Sequence, residues 1–431
     1  MRPNRQPVIF FTVAVLLMAG SVLWLLWESN AASAFKADVK QAKHSLHPDK
    51  PAVHAPMPQK PTEAATVPAA APTIATLNVP DAMPNEALLT FRTAEGLAAF
   101  RDRAAALGLE VLGYDLKLRT ARVRFRGTLA LERDLNTHAA DYAYIGPNLI
   151  TRIPALPLPP AQTDTANAGG SVPFRSQGLE AIGVSGDHSG WGKGVTVAVV
   201  DSGITSHPSL AKTQITHYDL VKDGSAFNGH GTAMASLIAG NDPNVSGVSP
   251  AAKLLDFRVA DTNGDSNTAL VSSAIIQATD QGARVINVSL GATGDSPVLD
   301  EAVRYAQSRN VVVVAAAGNE QLNALSMPAG IPGVLSVGAV DANGVQAYFS
   351  NSGEGLVLVA PGVGIVSAYA DGKLVIGSGT SQATAITSGV VAYLLSRGYY
   401  GPNIIQLLAR NAEPLQAPAT AVGAGLIQVP K

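Results

Sequence analysis

The sequence predicts an α/β fold for most of the chain, built on a doubly wound parallel sheet. From about residue 174 onward, apolar runs such as VTVAVV and ARVINVSL alternate with helical segments such as ALVSSAIIQATDQG, as in strand–helix–strand units. A smaller stretch, residues 81–155, has a mixed α+β pattern, and an uncharged apolar run lies near the N-terminus. We therefore expect a membrane-targeting helix, a small α+β domain and a large α/β domain.

The composition restricts the classes of function. The chain has 431 residues, of which 47 % are hydrophobic and 14 % are charged, and its formal net charge is −2. Residues 175–431 contain 13 Lys and Arg against 18 Asp and Glu, so this acidic part does not favour nucleic acid as a ligand. There are no cysteines, which excludes disulfides, zinc–thiolate sites, iron–sulfur clusters and cysteine nucleophiles.

The N-terminal sequence predicts a membrane-targeting signal. Arg2 and Arg5 precede an uncharged run, Gln6–Trp27, and about 20 apolar residues suffice to span a bilayer. An A-x-A-like cleavage site, Ala32-Ser33-Ala34, follows, so residues 1–34 are either an uncleaved signal anchor or a cleaved signal peptide. A buried helix of a soluble domain is the remaining alternative. Both main interpretations place the rest of the chain outside the cytoplasm, membrane-bound through this helix or secreted.

Two linkers separate the folded parts. Residues 35–80 are rich in Ala and Pro and show no amphipathic period, and residues 156–173 are rich in Pro, Ala and Gly. Between them, residues 81–155 predict the β-α-β-β-α-β order of a ferredoxin-like α+β domain. The predicted elements are a strand at Ala87–Phe91, a helix from Thr93 to Leu107 stopped by Gly108, strands at Glu110–Tyr114 and Thr120–Phe125, a helix at Leu129–Asn136 and a strand at Tyr142–Ile153.

Three segments of the α/β part each place one reactive side chain at a glycine-rich end of a strand or helix. In VAVVDSGI, Asp201 ends a buried strand. In NGHGTAMASLIAG, His230 lies between two glycines beside a helix of small residues, and in GSGTSQAT, Ser381 opens a long apolar helix. Taken singly, each residue has an ordinary explanation, namely a turn aspartate, a structural histidine and a helix-capping serine.

Taken together, the three residues predict a nucleophilic triad. A serine hydroxyl is a weak nucleophile at neutral pH and needs a base within hydrogen-bond reach, which a histidine supplies. A buried carboxylate fixes the imidazole tautomer and stabilises the imidazolium, and the chain order Asp201, His230, Ser381 is one of the known orders of this triad. In VVVVAAAGNE, the amide of Asn319 can donate to an oxyanion, although Asn after Gly is also a common turn residue.

Five segments in this order resemble those of subtilisin-like serine proteases, the peptidase S8 family: VAVVDSGI, NGHGT, VINVSLG, AAAGN and SGTSQAT. The resemblance covers about residues 174–431. It implies a subtilisin-like fold, a catalytic triad of Asp201, His230 and Ser381, and Asn319 with the backbone N–H of Ser381 as oxyanion donors. The implied function is a serine endopeptidase acting on polypeptide substrates. This reaction requires no cofactor. Structural calcium is frequent in the family, but we assign no carboxylate cluster of this sequence to calcium.

The same resemblance implies where a peptide substrate binds. Ser289-Leu290-Gly291 and Gly264-Asp265-Ser266 would flank an extended substrate as two edge strands, so that main-chain hydrogen bonds give sequence-tolerant binding. Ala316-Ala317-Gly318 would form the walls of the pocket for the residue before the scissile bond. Ser326 would lie near the floor of this pocket, just before Met327-Pro328, where the family often has a cis proline. Small neutral walls imply a broad, mostly apolar preference.

The smaller domain has a counterpart in the same family. Residues 85–153, which end in AYIGPNLITRI, are similar to its inhibitory I9-like propeptides, whose closing strand lies in the active-site cleft. This similarity implies a self-inhibited zymogen that carries its own propeptide in the cleft and loses it by cleavage within residues 154–173. An unrelated α+β domain is the alternative.

The sequence departs from the family pattern at two positions. Ala385 stands four residues after the nucleophile, where the family usually has proline, and Ala233 stands where a second histidine usually follows the catalytic one. Neither position takes part in proton transfer or holds the oxyanion, so we expect the chemistry to survive, while the first departure bears on the geometry of the serine helix. The alternative functions are a catalytically silent peptide-binding protein and an unrelated hydrolase or binding module with similar motifs.

Overall fold

The computed structural model describes residues 77–153 and 170–430. The expected membrane segment at 1–34, nearly all of the Ala/Pro-rich linker at 35–80 and most of the linker at 156–173 lie outside the described residues. Within the two described ranges, no helix combines the length and the apolar character needed to cross a bilayer.

The first described range folds as the α+β pattern predicts. Its elements are β1 (Ala82–Phe91), α1 (Ala94–Ala104, extended by a 3-10 turn at Ala105–Leu107), β2 (Glu110–Asp115), β3 (Thr120–Arg124), α2 (Thr128–His138, followed by a 3-10 turn at Ala139–Asp141) and β4 (Tyr142–Arg152). Thr93 caps α1 by accepting a hydrogen bond from the N–H of Gly96 at 3.0 Å, and Gly108 ends the 3-10 turn with φ 75°. The predicted β-α-β-β-α-β order is therefore confirmed.

The second described range forms the α/β part. Its strands are β5 (Thr196–Asp201), β6 (Ile215–Asp219), β7 (Asn241–Asp242), β8 (Val245–Ser246), β9 (Lys253–Arg258), β10 (Asp265–Asn267), β11 (Val285–Val288), β12 (Val312–Ala316), β13 (Leu335–Val340), β14 (Leu358–Pro361), β15 (Ile365–Ala368) and β16 (Leu374–Gly377). Its helices are α3 (Gly178–Ala181), α4 (His230–Ala239), α5 (Thr268–Asp280), α6 (Pro297–Ser308), α7 (Thr380–Ser396), α8 (Gly401–Asn411) and α9 (Ala419–Val422), with 3-10 turns at Pro208–Leu210 and Ala370–Gly372.

The main sheet of this part is parallel throughout. Its seven strands follow the order β14-β13-β12-β11-β5-β9-β6, and each neighbouring pair is parallel. A second sheet has the order β10-β4-β1-β3-β2, so that one strand of the α/β part joins the antiparallel strands of the α+β part. The predicted α/β fold with a parallel sheet is confirmed.

Helices cover both faces of the main sheet. Along β5, Val197 packs into a core with Met234 of α4, whereas the next residue, Ala198, packs into a second core with Ile275 of α5. Successive side chains of a strand point to opposite faces, so the two cores lie on opposite sides of the sheet. α7 contributes to the first core and α6 to the second, and the sheet is doubly wound as expected.

The candidate functional residues lie at one edge of this sheet. Asp201 is the last residue of β5, Ser289 follows β11, and Asn319 follows β12. The carboxyl ends of neighbouring parallel strands share an edge, which is where ligands bind in open α/β sheets. α4 begins with His230, α7 has Ser381 as its second residue, and the two helices pack against each other.

The start of α4 packs tightly on the turn that follows β5. The backbone N–H of Gly231 donates to Oγ of Ser202 at 3.1 Å, and the N–H of Thr205 donates to Oγ1 of Thr232 at 2.8 Å. A Cβ at Gly231 would lie 2.5 Å from the carbonyl oxygen of Gly203. Glycine is therefore the residue that permits this approach of the helix to the turn.

Replacement of Gly231 by alanine tests this close approach. We expect Gly231→Ala to lower the free energy of unfolding by about 1–3 kcal/mol, the usual cost of forcing extra carbon into a packed site. Gly190→Ala is the matched control, because a Cβ there meets no atom within 4 Å. Its expected effect is below about 0.5 kcal/mol. The measurement is the thermal unfolding midpoint, and equal midpoints for the two variants would show that the contact at Gly231 is not tight.

Candidate active site

Asp201 and His230 form a buried hydrogen-bonded pair. The carboxylate of Asp201 has no solvent exposure, and its Oδ1 and Oδ2 lie 2.8 and 3.0 Å from Nδ1 of His230. The imidazole side chain is 13 % exposed. Because Nδ1 donates to the carboxylate, Nε2 is left as the nitrogen that accepts a proton. The structure thus brings two of the predicted site residues into contact.

The backbone around β5 supplies further donors to Asp201. Ser202 donates its N–H and its hydroxyl to Oδ1, at 2.7 and 3.2 Å. The N–H groups of Val259 and Ala260 donate to the main-chain carbonyl of Asp201, at 2.8 and 3.2 Å. A carboxylate is costly to bury unless donors replace its lost hydration. The donors of Ser202 therefore compensate the burial of the Asp201 carboxylate, and the bonds to its main-chain carbonyl fix the end of β5.

Ser381 lies at the start of α7 but does not cap it. The N-cap residue is Gly379, so the capping explanation for this serine is wrong. The hydroxyl of Ser381 donates instead to the carbonyl oxygen of Ser289 at 3.4 Å. Among the hydrogen bonds of the described residues, none joins this hydroxyl to Nε2 of His230. The structure places the nucleophile candidate beside the helix of His230, with its hydroxyl turned towards Ser289.

The two departures from the family pattern leave both helices intact. α7 runs without a break from Thr380 to Ser396 and buries Ala385 completely. Ala233 is buried within α4. An alanine in place of the usual proline therefore does not interrupt the helix that carries Ser381.

Asn319 is fixed by the first residue of α7. Its Oδ1 accepts hydrogen bonds from the backbone N–H and the hydroxyl of Thr380, at 3.0 and 2.9 Å. A Cβ added at Gly379 would lie 3.0 Å from Nδ2 of Asn319 and 3.7 Å from the backbone nitrogen of Ser381. Both candidate oxyanion donors thus lie around one point beside Gly379. This point is at a helix N-terminus, where unpaired N–H groups and the helix dipole favour an anion.

Strand β4 lies between the two segments expected to bind a substrate. On one side it pairs antiparallel with β10, and the N–H of Ile153 donates to the carbonyl of Gly264 at 2.9 Å. On the other side, Arg152 exchanges two main-chain hydrogen bonds of 3.0 Å with Gly291. The register opposite β10 pairs Asp265 with Arg152, Ser266 with Thr151 and Asn267 with Ile150. A segment of this chain therefore occupies the expected path of an extended peptide.

Polar contacts attach the α+β part to both ends of α5. Oδ1 of the buried Asn148 accepts hydrogen bonds from the N–H of Ala269 at 3.1 Å and from the hydroxyl of Thr268 at 3.2 Å. These contacts cap the start of α5. At the other end of the helix, Lys117 forms an ion pair with Asp280. The contacts at the two ends of α5 attach the α+β part to this helix, next to the pairing of β4 with β10.

Three of the predicted binding residues use their side chains within the fold. Leu290 is buried in the core beneath α5 and α6. Oγ of Ser289 accepts a hydrogen bond from Nδ2 of Asn287 at 2.9 Å, and Oγ of Ser266 donates to the carbonyl of Val259 at 2.6 Å. Only the main chains of these residues are available to a bound peptide.

The predicted pocket residues meet two side chains that sequence reasoning missed. Ser326 donates its N–H to the carbonyl of Ala317 at 2.9 Å, so it lies beside the segment Ala316–Gly318 that is expected to form the pocket wall. A Cβ added at Gly318 would meet the side chains of Ser326, Asn351 and Glu320. Nδ2 of Asn351 donates to Oε2 of Glu320 at 2.8 Å, which holds a carboxylate beside the predicted pocket residue Gly318. Glu320 follows Asn319 directly in the sequence, and this position could have indicated that it lies near the site. Nothing in the sequence indicates that Asn351 lies there.

Several charged side chains near β5 form ion pairs. Within residues 77–153 and 170–430, no group of three or more His, Asp or Glu side chains is placed to hold a metal ion. The buried guanidinium of Arg258 donates to Asp219 at 3.1 Å and to Asp223 at 2.9 Å. The backbone N–H of Ser225 and this guanidinium lower the pKa of Asp223 to about 2. No calcium site is assigned.

This fold and site resemble those of known proteins. The Subtilase family profile (Peptidase_S8) matches residues 192–425. The thermophilic serine proteinase of Bacillus sp. (strain AK1) is 38 % identical over 234 residues, which cover 53 % of this chain and 58 % of that protein. Thermitase of Thermoactinomyces vulgaris is 35 % identical over 247 residues, which cover 56 % of this chain and 88 % of that protein.

One solved structure is similar over a longer stretch. Fervidolysin from Fervidobacterium pennivorans, a keratinolytic enzyme related to subtilisin, has a TM-score of 0.70 and 27 % identity, covering 82 % of this chain and 61 % of that chain. The similar region covers 82 % of this chain, which is more than residues 174–430 make up, so the similarity extends into the α+β part. The chain spans less than two thirds of the length of the Bacillus sp. relative and of fervidolysin.

The family match covers more than half of the chain, and it contains the parallel sheet together with Asp201, His230, Asn319 and Ser381. The chain therefore belongs to the subtilase family, and its α/β part is a subtilisin-like serine peptidase domain.

Proposed function

We propose that this chain is a serine endopeptidase that hydrolyses peptide bonds of polypeptide substrates through an acyl-enzyme intermediate. The observation that carries the proposal is the buried contact of 2.8 Å between Asp201 and Nδ1 of His230, beside the helix that presents Ser381. In this function Ser381 is the nucleophile and His230 is the general base. Asp201 holds the imidazole in the required tautomer and stabilises its protonated form.

The reaction begins when the hydroxyl of Ser381 rotates away from Ser289 towards Nε2 of His230. Its proton passes to Nε2 while Oγ attacks the peptide carbonyl, and Asp201 stabilises the imidazolium. The oxyanion of the tetrahedral intermediate accepts hydrogen bonds from Nδ2 of Asn319 and the backbone N–H of Ser381. His230 then gives the proton to the leaving amine, which leaves the acyl-enzyme. Water hydrolyses this ester with His230 again as base, and no cofactor takes part.

The α+β part acts in this proposal as an inhibitory propeptide, so the chain is made as a self-inhibited zymogen. β4 supports this role, because its main chain takes the hydrogen bonds of Gly264 and Gly291 that an extended substrate would take. Activation requires cleavage within residues 154–173, most of which lie outside the described residues. Self-cleavage by Ser381 is the proposed route.

The catalytic domain is proposed to act outside the cytoplasm, membrane-anchored or secreted. The apolar run Gln6–Trp27 supports this location, because its short positive flank stays on the cytoplasmic side. If the segment is an uncleaved anchor, cleavage between the two domains leaves the anchor with the propeptide and releases the catalytic domain.

Ser381→Ala tests the proposed chemistry. We expect this variant to lose labelling by a fluorophosphonate probe and to lose peptide hydrolysis, because the activated hydroxyl is gone. In subtilisin, removal of the nucleophile costs about 10⁶ in kcat. We also expect the variant to keep its α+β part, while the wild-type chain is shortened. In-gel labelling, hydrolysis of a peptide substrate and the mass of the purified chain are the measurements.

Ser273→Ala is the matched control for this experiment. Ser273 is a half-buried serine of α5 that accepts a hydrogen bond from Gln277 at 3.0 Å, and we expect its replacement to leave labelling and hydrolysis unchanged. Persistent hydrolysis by Ser381→Ala would contradict the assignment. Wild-type protein that binds peptides but neither reacts with the probe nor hydrolyses them would instead be a catalytically silent binding protein.

Glu320 adds a charge to a pocket whose other walls are small and neutral. Asn351 holds its carboxylate beside Gly318, so a substrate with Lys before the scissile bond gains an opposite charge in the pocket. We expect Glu320→Gln to lower kcat/KM for a Lys substrate about tenfold relative to a matched Leu substrate, which corresponds to roughly 1.4 kcal/mol. The ratio is measured at low and high salt, and the effect should shrink at high salt.

Glu301→Gln controls for a change in net charge. Glu301 lies on the exposed side of α6 and pairs with Arg304 at 2.6 Å, so its loss should leave the Lys/Leu ratio unchanged. Equal ratios for the wild type and Glu320→Gln would show that Glu320 does not reach the substrate residue before the cut.

A further inference from the structure

A second histidine–aspartate pair lies on β6 and β9, beside β5. Asp256 is buried, with 1 % of its surface exposed, although its neighbours Leu255 and Phe257 on β9 are apolar. Its Oδ2 accepts two hydrogen bonds, from Nδ1 of His217 at 2.7 Å and from the backbone N–H of Ile204 at 2.9 Å. Its Oδ1 is buried and has no hydrogen-bond donor among the described residues.

Burial makes this carboxylate costly, and its two donors offset the cost. Burial raises the pKa of Asp256, and the charge of Asp201 adds to this rise, whereas the hydrogen bonds from His217 and Ile204 act in the opposite direction. The hydrogen bond with Asp256 in turn raises the pKa of His217. An unpaired buried carboxylate is strongly destabilising. The groups that donate to Asp256 therefore show which part of the structure this side chain holds in place.

One of these partners belongs to the turn that follows Asp201. The parallel register of β5 and β9 places Asp256 beside Val199, two residues before Asp201 and on the same face of β5. Ile204 comes three residues after Asp201, in the middle of the turn, which spans residues 202–207 between β5 and the 3-10 turn at Pro208–Leu210. Three contacts hold this turn: Ser202 and Thr205 each form a hydrogen bond with the start of α4, and Ile204, between them, donates to Asp256.

We infer that Asp256 is a positioning residue for the catalytic Asp201 and that His217 keeps Asp256 in place. The inference rests on the proposed peptidase function. Through the N–H of Ile204, Asp256 sets the position of the turn, and the turn sets how the carboxylate of Asp201 meets Nδ1 of His230. Asp256 forms no hydrogen bond with His230 or Ser381, so its loss acts on turnover through Asp201.

The charge of His217 also contributes to the role of this histidine–aspartate pair. His217 has 56 % of its side chain exposed, and its hydrogen bond favours the imidazolium, which balances the carboxylate of Asp256 beside Asp201. The pKa of His217 is raised above its ordinary value of 6.5, so this stabilisation is complete below that pH and is lost as the pH rises through the raised pKa. Among the other charged groups on these elements, Arg258 on β9 pairs with Asp219 of β6 and with Asp223, His230 on α4 pairs with Asp201, and Asp280 on α5 pairs with Lys117, while Lys253 lies at the exposed start of β9.

Three variants separate positioning from fold stability. Asp256→Leu fills the space but leaves Ile204 without an acceptor, Asp256→Asn keeps an acceptor oxygen, and His217→Gln removes the positive charge. We expect Asp256→Leu to lower kcat about tenfold with KM changed less than about twofold, and Asp256→Asn to keep at least about one third of kcat. We expect His217→Gln to move the acid limb of the kcat/KM profile to higher pH, because the unbalanced charge of Asp256 favours the protonated catalytic imidazole.

Thermal unfolding midpoints show whether each variant is folded at the assay temperature. His188→Gln is the control, because His188 bonds Gly186 and Ser246 rather than the turn, and it should keep the wild-type kcat and pH profile. Any of three results would overturn the inference. They are a wild-type kcat in folded Asp256→Leu, an equal loss of kcat in Asp256→Leu and Asp256→Asn, and an acid limb of the kcat/KM profile that does not move in His217→Gln. A wild-type protein without hydrolysis would contradict the proposed function instead.

An NMR measurement that needs no turnover tests the inference even if the wild-type protein does not hydrolyse peptides. In the full chain carrying Ser381→Ala, the low-field ¹H NMR signal of Nδ1–H of His230 reports its contact with Asp201. We expect Asp256→Leu to shift or broaden this signal and Asp256→Asn to preserve it. An unchanged signal in the Leu variant would overturn the inference whether or not the wild type hydrolyses peptides.

Discussion

The contact between the Asp201 carboxylate and the imidazole of His230 is the constraint on which the rest of this domain depends. A carboxylate without solvent exposure is tolerated only where donors surround it, and here they come from Ser202 and from the imidazole itself. The contact requires β5 to end at the carboxyl edge of a parallel sheet and α4 to begin against the following turn, which Gly231 permits. α7, packed on α4, then supplies Ser381 at its own N-terminus.

The same edge of the sheet explains how a segment of the chain can lie in the cleft. β4 is held there by backbone hydrogen bonds with β10 and Gly291, which almost any residue can make, so this pairing does not depend on the side chains of β4. Specific contacts lie farther away, where Asn148 caps α5 and Lys117 pairs with Asp280. In the proposed zymogen these contacts survive a cut after residue 153, so cleavage and release of the α+β part are separate steps.

Local patterns place Asp201, His230, Asn319 and Ser381 at glycine-rich ends of strands and helices, and the structure has them at such ends, with Asp201 in contact with His230. The order of the elements is equally local, because apolar period and capping residues recur over a few positions. Contacts that depend on distant segments are not readable in this way. Glu320 and Asn351 meet beside Gly318 from separate loops, and His217 meets Asp256 because β6 and β9 pair in one register. Long-range register, rather than residue type, decides these contacts.

The convergence of these groups is tested most directly by a crystal structure of the enzyme after reaction with a phosphonate inhibitor. We expect the phosphorus to be bonded to Oγ of Ser381, with the phosphonyl oxygen about 2.7–3.1 Å from Nδ2 of Asn319 and from the backbone nitrogen of Ser381. Nε2 of His230 should lie within hydrogen-bond reach of Oγ. An unmodified Ser381, or an adduct whose oxygen lies away from both donors, would contradict the proposed mechanism.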